Sequence, residues 1–317
     1  MKILVLGIGG AVSKYFIDYL GSIDYPMELV RGVYRQRPLN DTRIQQDQID
    51  LSSEGIRFGI LLNEYRPDLI INFASDAVVD DSITGPAGVL YNNTCLMANL
   101  LGLVKEVNPK SRIVHISTAE VYGNTTNPIV ETAPYNPENP YAISKVTQEQ
   151  LIDYYIKAYG LSILTFRSFS YVNSLRSDLV LTAFVDRCLE TLAGRTTKVC
   201  MGNLSSIRTW MDVRDMVRLY WKGINLCQYG EKYNVGLEPS DPTVVPSIQK
   251  VCDLIAKKMS IPASVIVPHT TTKLRPVDVK IQMPSMKKFE SIVSDNERIS
   301  LDNSLNYLIE QRGKMYV

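Results

Sequence analysis

Short apolar runs and longer amphipathic stretches alternate along the first half of the chain. Lys2-Ile3-Leu4-Val5-Leu6 is nearly continuous in apolar character, and Met27–Tyr34, Leu69–Ala74, Arg112–Ser117 and Ile163–Arg167 are further strand signals. Uninterrupted runs of this length read as strands buried on both faces, the signature of a parallel sheet rather than of a half-solvated antiparallel one. Between them, Gly88–Glu106 and Tyr141–Ala158 carry helical spacing. Strand and helix in alternation predict the α/β class, a doubly wound parallel sheet with ligands at the carboxyl ends of its strands. Beyond about residue 168 the alternation loosens, with prolines at 239, 242, 246 and 262. Residues 1–168, joined by about 209–240, are expected to form the sheet domain. Residues 169–208 and 241–317 are expected to form a smaller, irregular α/β lobe that closes over the ligand.

The first strand runs into Gly7-Ile8-Gly9-Gly10-Ala11-Val12-Ser13 and then into Tyr15-Phe16-Ile17-Asp18-Tyr19-Leu20. Strand, glycine turn and helix in this order open a Rossmann-type fold. The glycines let backbone approach a pyrophosphate, and the helix N-terminus offers it unpaired N–H groups. Ser13 stands where a third glycine is commoner, so strand and helix are expected to pack slightly further apart. The second strand ends in Val33-Tyr34-Arg35-Gln36-Arg37, two arginines and no carboxylate. An acidic residue there binds the free ribose 2′-hydroxyl of NAD, whereas arginine accommodates the additional phosphate of NADP. NADP is therefore the expected cofactor and NAD the alternative. Asp50, after the next strand, is a candidate adenine contact and equally a capping residue.

Composition narrows the classes. The chain has 317 residues, 45% of them apolar, and a net charge of +1. No field favours nucleic acid or an anionic membrane surface. No run approaches the roughly 18 apolar residues of a spanning helix. Five dispersed cysteines without a CxxC fit free thiols in a reducing, cytoplasmic setting. With two histidines, a multi-histidine metal site or a histidine-dependent hydrolase is not expected, and no metal ligands are assigned.

Candidate chemistry lies in Tyr141-Ala142-Ile143-Ser144-Lys145 and, upstream, Ser117-Thr118-Ala119-Glu120-Val121-Tyr122-Gly123. A Tyr and a Lys four apart share one helix face. An ammonium beside a phenol lowers the phenol's pKa, and such a pair can exchange a proton with a sugar hydroxyl as hydride leaves the same carbon. The spacing alone occurs by chance in many proteins; its weight comes from the dinucleotide fold before it.

Together, Gly7–Ser13, Asn93, Ser117–Gly123 and Tyr141–Lys145 resemble the extended short-chain dehydrogenase/reductases that act on nucleotide sugars. Asp81–Ala87 is similar to a segment of dTDP-glucose 4,6-dehydratases. Met201–Asp215 resembles GDP-mannose 4,6-dehydratases and GDP-4-keto-6-deoxymannose reductases. Tyr233–Gly236 and Leu274–Val279 also fall where these enzymes have comparable segments. The resemblance implies that Gly7, Gly10 and Ser13 line the pyrophosphate, Arg35 and Arg37 the adenosine end, and Ala74 the side of the dinucleotide. Asn93 would support the active-site helix, and Lys145 would hold the nicotinamide ribose and keep Tyr141 acidic. Thr118 would bond the sugar's 4-hydroxyl, and Arg208 the diphosphate. Ser170 and Arg275 are further substrate contacts, while Tyr122 and Ser144 serve packing and local hydrogen bonding. A homodimer is implied, pairing Cys95–Glu106 and Tyr141–Ala158 across a two-fold; Leu151, Ile152, Tyr155 and Ile156 offer apolar surface for it, and core burial explains some of them equally well.

Glu120 bears on the reaction. A 4,6-dehydratase oxidises C4, removes the C5 proton, expels the C6 hydroxyl and returns hydride to C6, which requires a carboxylate base near C5. The dehydratases carry Thr-Asp-Glu or Thr-Ser-Glu where this chain has Thr118-Ala119-Glu120, so Glu120 or water must protonate the leaving group. Ser170-Tyr171-Val172-Asn173 replaces the usual Asn-x-Tyr-Gly-Pro, and Asp81 an arginine. A GDP-hexose 4,6-dehydratase is the first expectation. An NADPH-dependent 4-keto-6-deoxy sugar-nucleotide reductase, a 4-epimerase or a decarboxylase are alternatives, and a dinucleotide-binding regulator without catalysis is a further one of another class.

Overall fold

A computed structural model describes residues 1–268 and 275–316, so Leu274 of the Leu274–Val279 segment lies outside the described residues. Six strands enter the main sheet in chain order: β1 Ile3–Leu6, β2 Val30–Tyr34, β3 Gln45–Gln48, β4 Leu69–Asn72, β5 Arg112–Thr118 and β6 Ile163–Ser168. A seventh strand, Lys232–Val235, joins from the second half of the chain. The spatial order is 232–235, β6, β5, β4, β1, β2, β3, and every pairing is parallel. Helices α1 Ala11–Ser22, α2 Gly55–Tyr65, α3 Val79–Thr84, α4 Pro86–Val107 and α5 Pro140–Tyr159 provide the crossovers.

Alternation along β1 explains why the sheet needs cover on both sides. All four of its side chains are fully buried. Ile3 and Val5 join the core under α1 and α7 (Val213–Leu226), with Phe16, Leu20, Met216 and Tyr220. Leu4 and Leu6 join the opposite core, with Phe58, Leu62, Met97 and Leu100 of α2 and α4. Burying such a side chain contributes about 1.5–3 kcal/mol, which no exposed strand would gain. A separate core, including Phe184, Val185, Trp210, Val251, Ile255 and Leu305, lies in the second half. It is built on α6 (Val180–Leu192), α8 (Ile248–Lys258) and helix Leu301–Lys314, with strands of only two or three residues.

One expectation is corrected. Helix α4 is long and apolar enough to cross a membrane by length and composition, with a mean hydropathy of 1.2 over its best window. Val89, Leu96, Met97, Leu100, Leu101 and Val104 of this helix are instead buried in the protein.

Candidate active site

The glycine turn at the exit of β1 is shaped by close backbone approach. Gly7 has φ +75°, and a Cβ there would lie 2.8 Å from Ala74 Cα. A Cβ on Gly9 would meet the Arg37 carbonyl at 1.8 Å. Gly10 precedes α1, whose N-terminus has no side-chain cap and no acidic residue in its first turn. Its N–H donors are therefore left for an anion, and the bare turn beside Ala74 fits a dinucleotide pyrophosphate. Ser13 takes a structural bond in this turn. It is fully buried, and its hydroxyl donates to the Gly7 carbonyl at 2.8 Å. It braces the turn from inside.

Arg35 and Arg37 follow β2, but Arg35 is not free: its guanidinium meets Asp76 Oδ1 at 2.6 Å. Asp76 comes from the loop after β4, so the carboxylate absent from the end of β2 is supplied from across the crevice. Asp50 Oδ1 accepts from Ser52 N and Oγ at 2.9 and 2.7 Å, in the turn that precedes α2.

Helix α5 carries Tyr141 and Lys145, both buried. Lys145 Nζ donates to the Ile116 carbonyl at 3.0 Å, and burial pushes its pKa down to about 7 against the opposing pull of Glu149. Burial likewise drives the Tyr141 phenol above its ordinary range, with Tyr171 and Glu120 adding to the shift. Arg176 and the neighbouring Thr118 hydroxyl pull it the other way. Desolvation outweighs charge here because a buried ion loses its hydration.

Asn93, on α4, is 1% exposed and connects this helix to the β4 loop. Its Nδ2 donates to Ser144 Oγ at 2.9 Å and to the Asp76 carbonyl at 3.1 Å. Ser144 Oγ donates in turn to the Tyr141 carbonyl, and Tyr122 donates to Asn234 Oδ1, both at 2.7 Å.

Thr118 ends β5 and caps the following turn, its Oγ1 accepting from Glu120 N at 3.2 Å and leaving its proton to donate. Ala119 is buried. Glu120 is held by Asn139, whose Nδ2 lies 3.1 Å from Oε2. Arg208 is only 8% exposed, and its NH1 and NH2 donate to the carbonyls of Ile207 and Val279. Burial lowers its pKa while Glu120 and Asp278 oppose, and part of its fork is already spent on those carbonyls. Arg275 pairs with Asp80 at 2.9 Å. Ser170 follows β6, and its carbonyl accepts from Met211 N at 3.2 Å. Asp76, Asn139 and Arg176 were not singled out from the sequence, and none sits in a short motif. So too with Glu149, although its place four residues after Lys145 on α5 was a readable signal.

Residues 4–306 match the family model described as GDP-mannose 4,6 dehydratase. A dTDP-glucose 4,6-dehydratase of Xanthomonas campestris is 31% identical over 205 residues, covering 62% of this chain and 57% of the relative's length. An Escherichia coli protein of the same description is 28% identical over 298 residues, covering 81% and 78%. Among solved structures, DesIV, a dTDP-glucose 4,6-dehydratase from Streptomyces venezuelae with NAD and TYD bound, superposes with a TM-score of 0.87 at 20% identity, covering 99% and 97%. RMD from Pseudomonas aeruginosa complexed with NADPH gives a TM-score of 0.82 at 22% identity, covering 99% and 100%.

Proposed function

The chain belongs to the GDP-mannose 4,6-dehydratase family of NAD(P)-dependent epimerase/dehydratases, and from that premise we propose that it is a 4,6-dehydratase of a nucleotide-diphosphate hexose. One observation carries this reading: a carboxylate, Glu120, is pinned by Asn139 two residues before Tyr141, so a second proton-transfer group stands beside the first. A reaction confined to C4 needs only the tyrosine.

A bound nicotinamide ring would supply the acceptor for the C4 hydride and later its donor. Gly7, Gly10 and the start of α1 hold the pyrophosphate, and Lys145 the nicotinamide ribose. Tyr141, as phenolate, takes the proton of the 4-hydroxyl while Thr118 donates to the same oxygen. Burial favours the protonated phenol, and Arg176 and Thr118 offset part of that shift. Glu120 then removes the C5 proton, the C5–C6 double bond forms, and the C6 hydroxyl leaves as water. With Ala119 unable to donate, Glu120 returns the proton it has just taken to the departing hydroxyl, and the step balances.

The family match and the Met201–Asp215 stretch support a GDP-sugar, whereas the curated relatives support a dTDP-sugar. NADP(H) is proposed from Arg35 and Arg37, with NAD favoured instead by the Arg35–Asp76 pair. A second reading, a 4-keto sugar reductase, is supported by Tyr141 itself. Burial favours its protonated form, which is the form that delivers a proton to a 4-oxo group. Exposed Tyr91 on α4, with Ile143, Tyr154 and Tyr159 on α5, supports a homodimer across these helices, and the five free thiols support a cytoplasmic location.

Incubation with a panel of GDP-, dTDP- and UDP-hexoses, read by mass spectrometry, tests the proposal. Loss of one water without added cofactor is expected. Gain of two hydrogens on a keto-sugar with NADPH, and no loss of water from any hexose, replaces the dehydratase by the reductase.

A further inference from the structure

In the order β4, β1, β2, the glycine turn leaves the middle strand. Leu6 lies level with Asn72 on one side and Val33 on the other. Arg35 and Asp76 therefore reach toward each other from the two flanking strands, which are about 10 Å apart at neighbouring-strand spacing. Their 2.6 Å contact joins the ends of the two strands that flank the glycine turn.

The two partners are not equally free. Asp76 N donates to Asn93 Oδ1 at 2.8 Å, its carbonyl accepts from Asn93 Nδ2, and its Oδ2 accepts from Asn92 Nδ2 at 2.7 Å. Backbone and one carboxylate oxygen are thus fixed from α4, leaving Oδ1 for the arginine. The Arg35 side chain is 39% exposed, and among the described residues its side chain bonds Asp76 alone while its backbone carbonyl accepts from Gln48. The carboxylate is preset, and the arginine is the movable half.

We propose that Asp76 is a determinant of dinucleotide choice: it engages Arg35 in advance and so disfavours a cofactor whose 2′-phosphate must take that arginine away. A free 2′-hydroxyl makes no such demand. A phosphate carries about −1.5 to −2 charge and competes well for a guanidinium, so the carboxylate reduces NADP(H) affinity without abolishing it. The inference rests on the dinucleotide crevice and is independent of the reaction that follows.

Fluorescence titration of the full chain with NADH and NADPH tests it. A partly exposed ion pair of this kind contributes little, so Asp76→Asn is expected to tighten NADPH binding by about three- to fivefold and to change NADH binding by less than about twofold. Arg35→Ala should weaken NADPH selectively, and Asp76→Asn added to it should give no further selective gain. Asp76→Ser, which also removes the charge, should repeat the shift, and melting curves identify any variant that has lost its fold. An unchanged ratio of the two affinities overturns the proposal. So does equal tightening of both cofactors, or an equal shift in the ratio when Arg35 is absent, since each assigns the effect to general charge.

Discussion

Asn139 joins Glu120 to the helix that carries Tyr141. Its Nδ2 donates to Glu120 Oε2 at 3.1 Å while its Oδ1 accepts from Ala142 N at 2.8 Å, capping α5. Asn139→Ala is expected to lose about 1 kcal/mol of stability with the cap. It also releases the carboxylate, so solvent exchange at C5 of the substrate should fall more than oxidation at C4. Asn139→Asp keeps a cap acceptor but sets a second carboxylate against Glu120. It should melt near the parent and still lose exchange. Equal loss of both steps in both variants would reduce Asn139 to a cap.

Behind the site, Glu149 is fully buried and accepts from Ser117 Oγ at 2.6 Å, Tyr135 Oη at 2.9 Å and Arg167 NH2 at 2.7 Å. Removing one partner of a buried pair strands the other charge. Glu149→Gln should therefore destabilise the protein by about 3–5 kcal/mol in denaturant titration. Glu149→Gln combined with Arg167→Met should recover much of that loss, because no uncompensated ion remains.

Lys145 gives the fold a pH dependence with a definite sign. Its folded pKa of about 7 lies below its ordinary 10.5, so between these values the unfolded chain binds more protons than the folded one. Stability from this group therefore rises with pH: the penalty for burying its charge is complete below about pH 7 and fades toward 10.5. Lys145→Met is expected to melt above the parent at pH 6, with the difference shrinking by pH 9. A difference that stays constant across that range would mean that Lys145 does not titrate as the buried group described.

What the sequence showed depended on range. The runs at Ile3–Leu6, Leu69–Asn72 and Ile163–Ser168 are legible because a strand covered on both faces must be apolar throughout. Gln45–Gln48 has no apolar residue and becomes β3 only through pairing with β2 and the Arg31–Asp47 ion pair. Ile152 offered either a pairing face or core, and only the fold decides that it is core. The Tyr141–Lys145 spacing placed both on α5, but how burial shifts their protons is a property of the surroundings. Asp76 reaches Arg35 across 41 residues and Asn139 reaches Glu120 across 19, distances at which no local pattern exists to read.

Tyr141 and Glu120 should separate two steps of one reaction. Tyr141→Phe removes the group that takes the 4-hydroxyl proton, so reduced cofactor and product should fall together by about 10²–10⁴-fold. Glu120→Gln keeps the size of the side chain and a hydrogen-bonding partner for Asn139 but cannot accept the C5 proton. This variant should still oxidise C4 and accumulate reduced cofactor, seen by its near-ultraviolet absorbance, while eliminating water slowly. Deuterium placed at C5 should wash out into solvent with the parent protein and hardly at all with Glu120→Gln. Because Ala119 can neither take nor give a proton, no neighbour in that turn compensates. Full dehydration by Glu120→Gln would therefore remove the base on which the dehydratase reading stands and leave the 4-keto reductase in its place.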